Sequence, residues 1–433
     1  MQKSGYLGDD CVLLHFLSSV IERFSSRFAS LVLIFLLAYF VNPEVAGLYS
    51  WMALTLTLTQ AIVEVPLRQL APEASSSDLG RAYISLRSKY GEYVSASLLT
   101  VTFLMLLLLA PDSHTLNVWQ LLPMIGVPFF SVKSIRLTAD FQVSGRWRQL
   151  AKLQVTSSLV ASGITVTVLV LQHGLLGPAL QPLLVEALYF ALLKRLHTRG
   201  VGSSKSPSQT EMKLGHHERQ WKSSVLDSSL SWAQSQLDRV LVGFVAGTSS
   251  LGHYSFGSAI GKTAGDTVSS AGSTVFRAVL FSKSPLGSLK SDLEIASIRA
   301  ITLNGFFAIF LFFACPVISS TYLSSDWSPA LSAAPIIALS TVASALSWHL
   351  TATLQALKSL RRSLLSRFTG IVLAVGIAFA ASVSLTVAAW ALVVRELVCL
   401  ALLLIPARTY FPKRSVSLIL AFVTVTWILV YVL

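Results

Sequence analysis

Charged and hydroxyl side chains recur at helical spacing inside stretches of this chain that are otherwise apolar. Between Leu226 and Ser273, Ser228, Ser231, Ser235 and Asp238 fall at steps of three and four, and so do Ser255, Ser258, Lys262, Asp266, Ser269 and Ser273. Such steps place side chains on one face of a helix. Ser19, Arg23, Arg27 and Ser30 share the spacing, as do Thr57, Gln60, Glu64 and Arg68. Lys133, Arg136 and Asp140 form a shorter stripe, and Ser340, Ser344, Ser347, Thr351 and Gln355 an uncharged one. Among these groups the cations Arg23, Arg27, Lys133, Arg136, Arg239 and Lys262 outnumber Glu22, Glu64, Asp238 and Asp266. The chemistry this suits is anion binding. Guanidinium forks match pairs of phosphate oxygens, and Arg23 and Arg27, one turn apart, are placed to hold a diphosphate. Glu64, Asp238 and Asp266 are the candidates for a coupling proton or sodium ion. Against this stands a structural reading: Lys262 and Asp266 can pair at i,i+4 and only hold helices, while Asp238 and Arg239 are neighbours that point to different faces. No catalytic residue, cofactor or metal site is expected. Cys11, Cys315 and Cys399 are isolated and give no disulfide framework.

The elements that position these residues follow from composition. Of 433 residues 53% are hydrophobic and 12% charged, with mean hydropathy +0.67. A soluble domain carries about 25% charge, so the chain reads as an all-α polytopic membrane protein. Asp9 and Asp10 precede the first apolar run, and no removable signal peptide is expected. A spanning helix needs about 20 mostly apolar residues. That rule places α1 near 13–40, α2 near 45–70, α3 near 90–110, α4 near 118–143, α5 near 152–171 and α6 near 176–195. After a Ser/Gly/Lys/His-rich stretch at 197–222 come α7 near 223–246, α8 near 252–276, α9 near 298–318, α10 near 329–357, α11 near 364–382 and α12 near 387–406. A last apolar run at 416–433 makes a thirteenth. His216 and His217 read as an exposed pair in the stretch before α7, and Trp51, Trp119, Tyr322 and Trp327 as anchors at the membrane interface.

Basic residues support this count. The connections 41–45, 111–118, 172–177, 247–252, 319–328 and 381–387 hold no Lys or Arg, whereas every alternate connection does. By the positive-inside rule the basic side and the N-terminus are cytoplasmic, and the net charge of +13 reflects orientation rather than a nucleic-acid partner.

A weak internal repeat divides the chain. Gly47–Trp51 (GLYSW) opens α2 and Gly252–Phe256 (GHYSF) opens α8, while Leu137–Gln142 (LTADFQ) closes α4 and Leu350–Gln355 (LTATLQ) closes α10, at offsets of 205 and 213 residues. The expected organisation is a six-helix lobe at 1–196, a basic cytoplasmic linker at 197–222, a second six-helix lobe at 223–407 and an extra membrane segment at 408–433. Each half starts on the same side, so the lobes are related by a pseudo-two-fold axis along the membrane normal, an arrangement of transporters. The polar stripes fall on α1, α2 and α4 and on their counterparts α7, α8 and α10, which predicts one central cavity. The other helices are blander, apart from Glu186 and the neighbours Arg395 and Glu396.

The stretches LDRVLVGFVAGTSSLGHYSF, Leu237 to Phe256, and FLLAYFVNPEVAGLYS, Phe35 to Ser50, carry a resemblance. They resemble the Wzx-type oligosaccharide-lipid flippases of the multidrug/oligosaccharidyl-lipid/polysaccharide exporter superfamily, with Pro43, Gly47 and Tyr49 in place and Ala38-Tyr39 where the family commonly has Ala-Arg. The resemblance implies alternating-access transport of polyprenyl-diphosphate-linked sugars across the bacterial cytoplasmic membrane, with a lipid-linked oligosaccharide and membrane lipids as partners, alongside polysaccharide polymerase and assembly proteins. Two alternatives stay open. A cation-coupled multidrug exporter would present carboxylates and aromatics to its cavity. A membrane glycosyl transferase or polymerase would need a large loop or domain for its sugar site.

Overall fold

The computed structural model describes residues 31–74, 78–109, 114–144, 146–200, 214–282, 289–356, 360–405 and 413–432. Among them every regular element is helical, and nine helices are long and apolar enough to cross a membrane. The expected all-α polytopic architecture stands. Of α1 only Leu31–Phe40 is described, so Arg23 and Arg27 lie outside the described residues. The chain forms two compact units, one spanning Val32–Gly252 and one from His253 onward. The compact units and the sequence repeat divide the chain at different points. The repeat begins its second half with α7, whereas α7 packs within the first unit.

In the first unit, α2 opens at Pro43, where the missing N–H costs nothing because the first helical donors have no intrahelical acceptor. The Asn42 side chain caps it, accepting from the Val45 N–H at 3.0 Å. The helix runs as Pro43–Thr59, a π turn Gln60–Glu64 and a final segment Val65–Ala74. Next come α3 (Asp78–Leu109), α4 (Thr115–Trp119, a 3-10 turn Leu122–Gly126, then Val127–Val143), α5 (Trp147–Gln172) and α6 (Leu176–Gly200). Val63, Leu67 and Leu70 of α2 pack with Ile84 of α3 and with Val132 and Ile135 of α4. Hydrocarbon is as apolar as leucine, so close packing and hydrogen bonds, rather than burial from water, hold such helices together.

The hairpin turn expected between 247 and 252 forms at Gly247, with φ 87° and ψ 173°, a conformation open to glycine alone. It separates α7 (214–246) from α8 (248–282) inside Leu214–Ser282. The expected linker at 197–222 is shorter than composition suggested, because α6 continues to Gly200 and α7 begins at Leu214. Residues 214–222 are helical because α3 and α7 share polar contacts there, described below.

The repeated glycines have a specific task. A Cβ on Gly47 would overlap the carbonyl oxygen of Thr248, and one on Gly252 would overlap that of Pro43. The two glycines therefore let the start of α2 cross the α7–α8 turn backbone to backbone.

The second unit continues with α9 (Leu289–Thr321), α10 (Ser328–Ala356, preceded by the 3-10 turn Ser325–Trp327), α11 (Leu360–Val383), α12 (Leu385–Leu404) and α13 (Lys413–Val432). Its centre is α10, whose membrane window is 83% buried against 17% for α3 of the first unit. Gly257, Gly261 and Gly265, one turn apart on α8, let that helix approach Ala330, Ala334 and Thr341 of α10. Trp327 is not an interface anchor. It is 1% exposed and packs on Phe256, with ring centroids 4.6 Å apart. Trp119 and Tyr322 are exposed, as an interfacial role requires.

Gly252→Ala should destabilise the protein by about 1–3 kcal/mol, the usual cost of forced overpacking. Gly163→Ala, where a Cβ meets nothing within 4 Å inside a helix that favours alanine over glycine, should hold or raise the thermal unfolding midpoint in detergent. Equal midpoints for the two variants would contradict the crossing.

Candidate functional site

The π turn of α2 has a cause in sequence. Pro66, the second residue of the Val65–Ala74 segment, has no N–H, and its ring crowds the carbonyl one turn earlier. The Val65 N–H bonds the Gln60 carbonyl, five residues back. Ala61 is thereby left without a donor from its own helix, since Val65 is engaged and Pro66 has none. A bare carbonyl at membrane depth is costly. Ser228 of α7 meets this need, its hydroxyl lying 2.6 Å from the Ala61 oxygen and 2.8 Å from its own Ser224 carbonyl. Trp232 Nε1 donates to Thr57 Oγ1 at 3.0 Å and Ser224 Oγ to Gln69 Oε1 at 2.5 Å, so the polar stripes of α2 and α7 are spent in part on each other.

Glu64 closes the π turn and is 4% exposed. Its Oε1 accepts from Ser131 Oγ of α4 at 2.6 Å, and its Oε2 from Arg68 Nη2 at 3.2 Å. Both oxygens of this coupling candidate are occupied. The Arg68 side chain, by contrast, keeps 47% of its surface accessible. Glu186 of α6 lies within electrostatic reach of both Arg68 and Glu64, and its Oε2 is buried without a hydrogen-bond partner. Tyr189, a turn further on, pairs its hydroxyl with Thr138 Oγ1 at 3.3 Å.

The remaining sequence candidates are dispersed. Lys133 sits two residues after Ser131, hence on another face of α4. It points to α3, where Glu92 lies 3.8 Å away, with half of its own side chain exposed. Arg136 is exposed, within electrostatic reach of Asp140. On α7, Asp238 is buried and accepts the N–H of Arg239 at 3.0 Å, while Arg239 Nε is buried with no hydrogen bond. Lys262 and Asp266 are half-buried on α8 of the second unit. Arg395 and Glu396 on α12 pair with each other, with Nη2 and Nε donating to one carboxylate oxygen at 2.7 and 3.1 Å. The structure thus joins Glu64, Arg68, Ser131 and Glu186 from three helices, and sets Lys133 and Arg136 apart from them. Sequence spacing did not pair Glu64 with α4 or with Glu186. Pro66, inside an apolar helix, was the available signal for the turn that makes the pairing.

A second cluster ties the amino-terminal turns of α7 to α3. Glu218 accepts from the Tyr83 hydroxyl at 2.8 Å and from Arg87 Nη2 at 2.5 Å, with Lys222 Nζ 3.6 Å from its other oxygen. Arg87 also lies over the rings of Tyr83 and Trp221, 5.4 Å from each centroid. His217 is not an exposed linker residue. It is 1% exposed and stacks on Tyr83 at 5.9 Å.

The Tyr83 hydroxyl, followed by Arg87, holds the Glu218 carboxyl below the usual glutamate range. A depressed carboxyl contributes stability above its unfolded value and loses it as pH falls through the folded one. Acidification below the ordinary glutamate range of about 4.3 should therefore loosen residues 214–222, seen as faster amide hydrogen exchange. Glu218→Gln should show that fast exchange already at neutral pH, and protection equal to the parent protein would refute the latch.

No family model matches the chain, and no curated protein matches it. Among solved structures its fold is shared with the lipid II flippase MurJ in an inward closed conformation, at 13% identity and TM-score 0.65, over 97% of this chain and 92% of that one. It is shared with a multidrug resistance MATE family transporter of the MOP superfamily in its inward-facing conformation, at 15% identity and TM-score 0.59, over 92% and 98% of the two chains. A MATE protein in complex with MaD5 gives 15% identity and TM-score 0.62, over 93% and 95%. What these likenesses establish is the fold alone.

Proposed function

We propose that this protein carries a polyprenyl-diphosphate-linked oligosaccharide across the bacterial cytoplasmic membrane by alternating access, with its N-terminus in the cytoplasm, for surface-polysaccharide assembly. The observation that carries the reading is accessible cationic charge at membrane depth. Lys133 lies ten residues before the end of the candidate span Thr115–Val143, roughly 15 Å along the axis, yet half of its side chain is accessible. Arg68, also about half accessible, lies four residues before the end of the span Pro43–Pro72, nearer the membrane edge. A cation facing hydrocarbon costs roughly 2.5–3.5 kcal/mol on the lenient scale. Although each of these has a carboxylate beside it, the accessible half of each side chain supports a polar path next to it. In the first unit, Lys133 and Arg136 are the accessible cations of the set proposed from sequence that a diphosphate in such a path would meet. The fold it shares with a lipid II flippase over nearly its whole length supports a lipid-linked cargo. The protein acts here as a carrier, with polymerase and assembly proteins as its partners in the pathway.

A second reading, a cation-coupled multidrug exporter, draws support from the MATE likeness and from two carboxylates among the helices, the buried Glu64 and the half-buried Glu186. The two readings separate in one experiment. In proteoliposomes holding a fluorescent polyprenyl-diphosphate sugar, Lys133→Ala with Arg136→Ala should slow head-group translocation by at least tenfold, about 1.4 kcal/mol. Undiminished translocation in the double variant, or none in the parent protein beside export of cationic drugs, would favour the exporter.

A further inference from the structure

Among the described residues, Glu64 and Glu186 share one nearby cation, Arg68, and they share it unequally. Glu64 has Arg68 on one oxygen and Ser131 on the other. Glu186 has electrostatic contact with the same Arg68 and with Glu64, but no hydrogen bond to its sealed Oε2. Two carboxylates and one guanidinium leave one negative charge, and Glu186, whose Oε2 is buried without a donor while both oxygens of Glu64 are bonded, is the carboxylate less equipped to hold it. A buried charge without a partner is the costliest arrangement available to a side chain. A proton on Glu186 removes it.

Among the described residues, the helices around Glu186 add no other charge to this balance. From α2 the charged groups in reach are Arg68 and Glu64. The polar groups placed nearby on α4 are the hydroxyls of Ser131 and Thr138, the latter bonded to the Tyr189 phenol of α6 itself. Where α5 and α6 share a polar contact it is between Ser162 and Gln181, which do not titrate.

We infer that Glu186 is a proton-binding site of the first unit, and that its ionisation state decides whether Arg68 is bridged between two carboxylates or left with Glu64 alone and open to an anionic head group. The proton is exchanged with the polar path that Arg68 faces. When it leaves, Glu186 takes the guanidinium as its counter-charge; when it returns, Arg68 regains donors for phosphate oxygens. This deepens the proposed function, because it supplies the coupling ion and the group that carries it, and it rests on that reading only for its link to transport.

The test is pH-difference infrared spectroscopy on the purified full-length protein in lipid, between about pH 5 and pH 9, read at the protonated carboxyl stretch. The parent protein should show a band that Glu186→Gln abolishes and Glu64→Gln retains. Arg68→Ala, which removes the competing cation, should move its midpoint to higher pH by at least one unit, a tenfold gain in proton affinity. A band that survives Glu186→Gln, or a midpoint indifferent to Arg68→Ala, overturns the inference. The spectra need no substrate, so the site stands or falls apart from the proposed cargo. In proteoliposomes, Glu186→Gln should then translocate head groups without response to an imposed pH gradient, whereas a response equal to the parent's would break the link to transport.

Discussion

The first unit is organised around a backbone oxygen that its own helix cannot serve. A membrane offers no water to a carbonyl, so each one freed by a proline must find a donor inside the protein. Pro66 frees the oxygen of Ala61, the π turn Gln60–Glu64 spreads the disruption over one extra residue, and Ser228 of α7 answers it. From that exchange follow the docking of α7 on α2, the Trp232 and Ser224 bonds beside it, and the rotation that brings Glu64 to Ser131. Such π turns recur at functional sites, and here the turn ends on the residue whose charge must be managed.

Charge within the helices is mostly handled in local pairs. Glu64 holds Arg68, Glu92 holds Lys133, and Glu396 holds Arg395. These pairs do part of what the structural reading of the stripes anticipated. Their members are nevertheless unequal in exposure, with Arg68 and Lys133 about half accessible beside carboxylates that are largely covered. That asymmetry leaves the cations reachable while their partners stay fixed.

Much of the fold was legible in the sequence, since it follows from hydropathy, loop charge and turn chemistry. Helix number and order, the break at Gly247 and the shared Gly-x-Tyr-Ser-aromatic motif all have local causes. The site was legible only in part. Spacing shows that Glu64 and Arg68 share a face, but not that a π turn rotates that face toward Ser131 and within reach of Glu186. Residues 214–222 look like a linker by composition. They are helical because Glu218 finds Tyr83 and Arg87, more than 130 positions earlier in the chain. His217 and Trp327 were misplaced for the same reason, as stacking partners distant in sequence cover them.

The crossing of Gly47 with the α7–α8 turn carries a consequence for biosynthesis. The first unit closes at Gly252, and two of its fastenings, the Thr248 and Pro43 contacts and the Ser228 bond to Ala61, come from its last forty residues. A chain emerges from the ribosome at roughly 5–20 residues per second, so α2 waits on the order of ten seconds or more in the bilayer with its Ala61 oxygen unanswered. The helices α1 to α6 therefore do not form a finished lobe on their own. Assembly of the first half is timed by synthesis of the second.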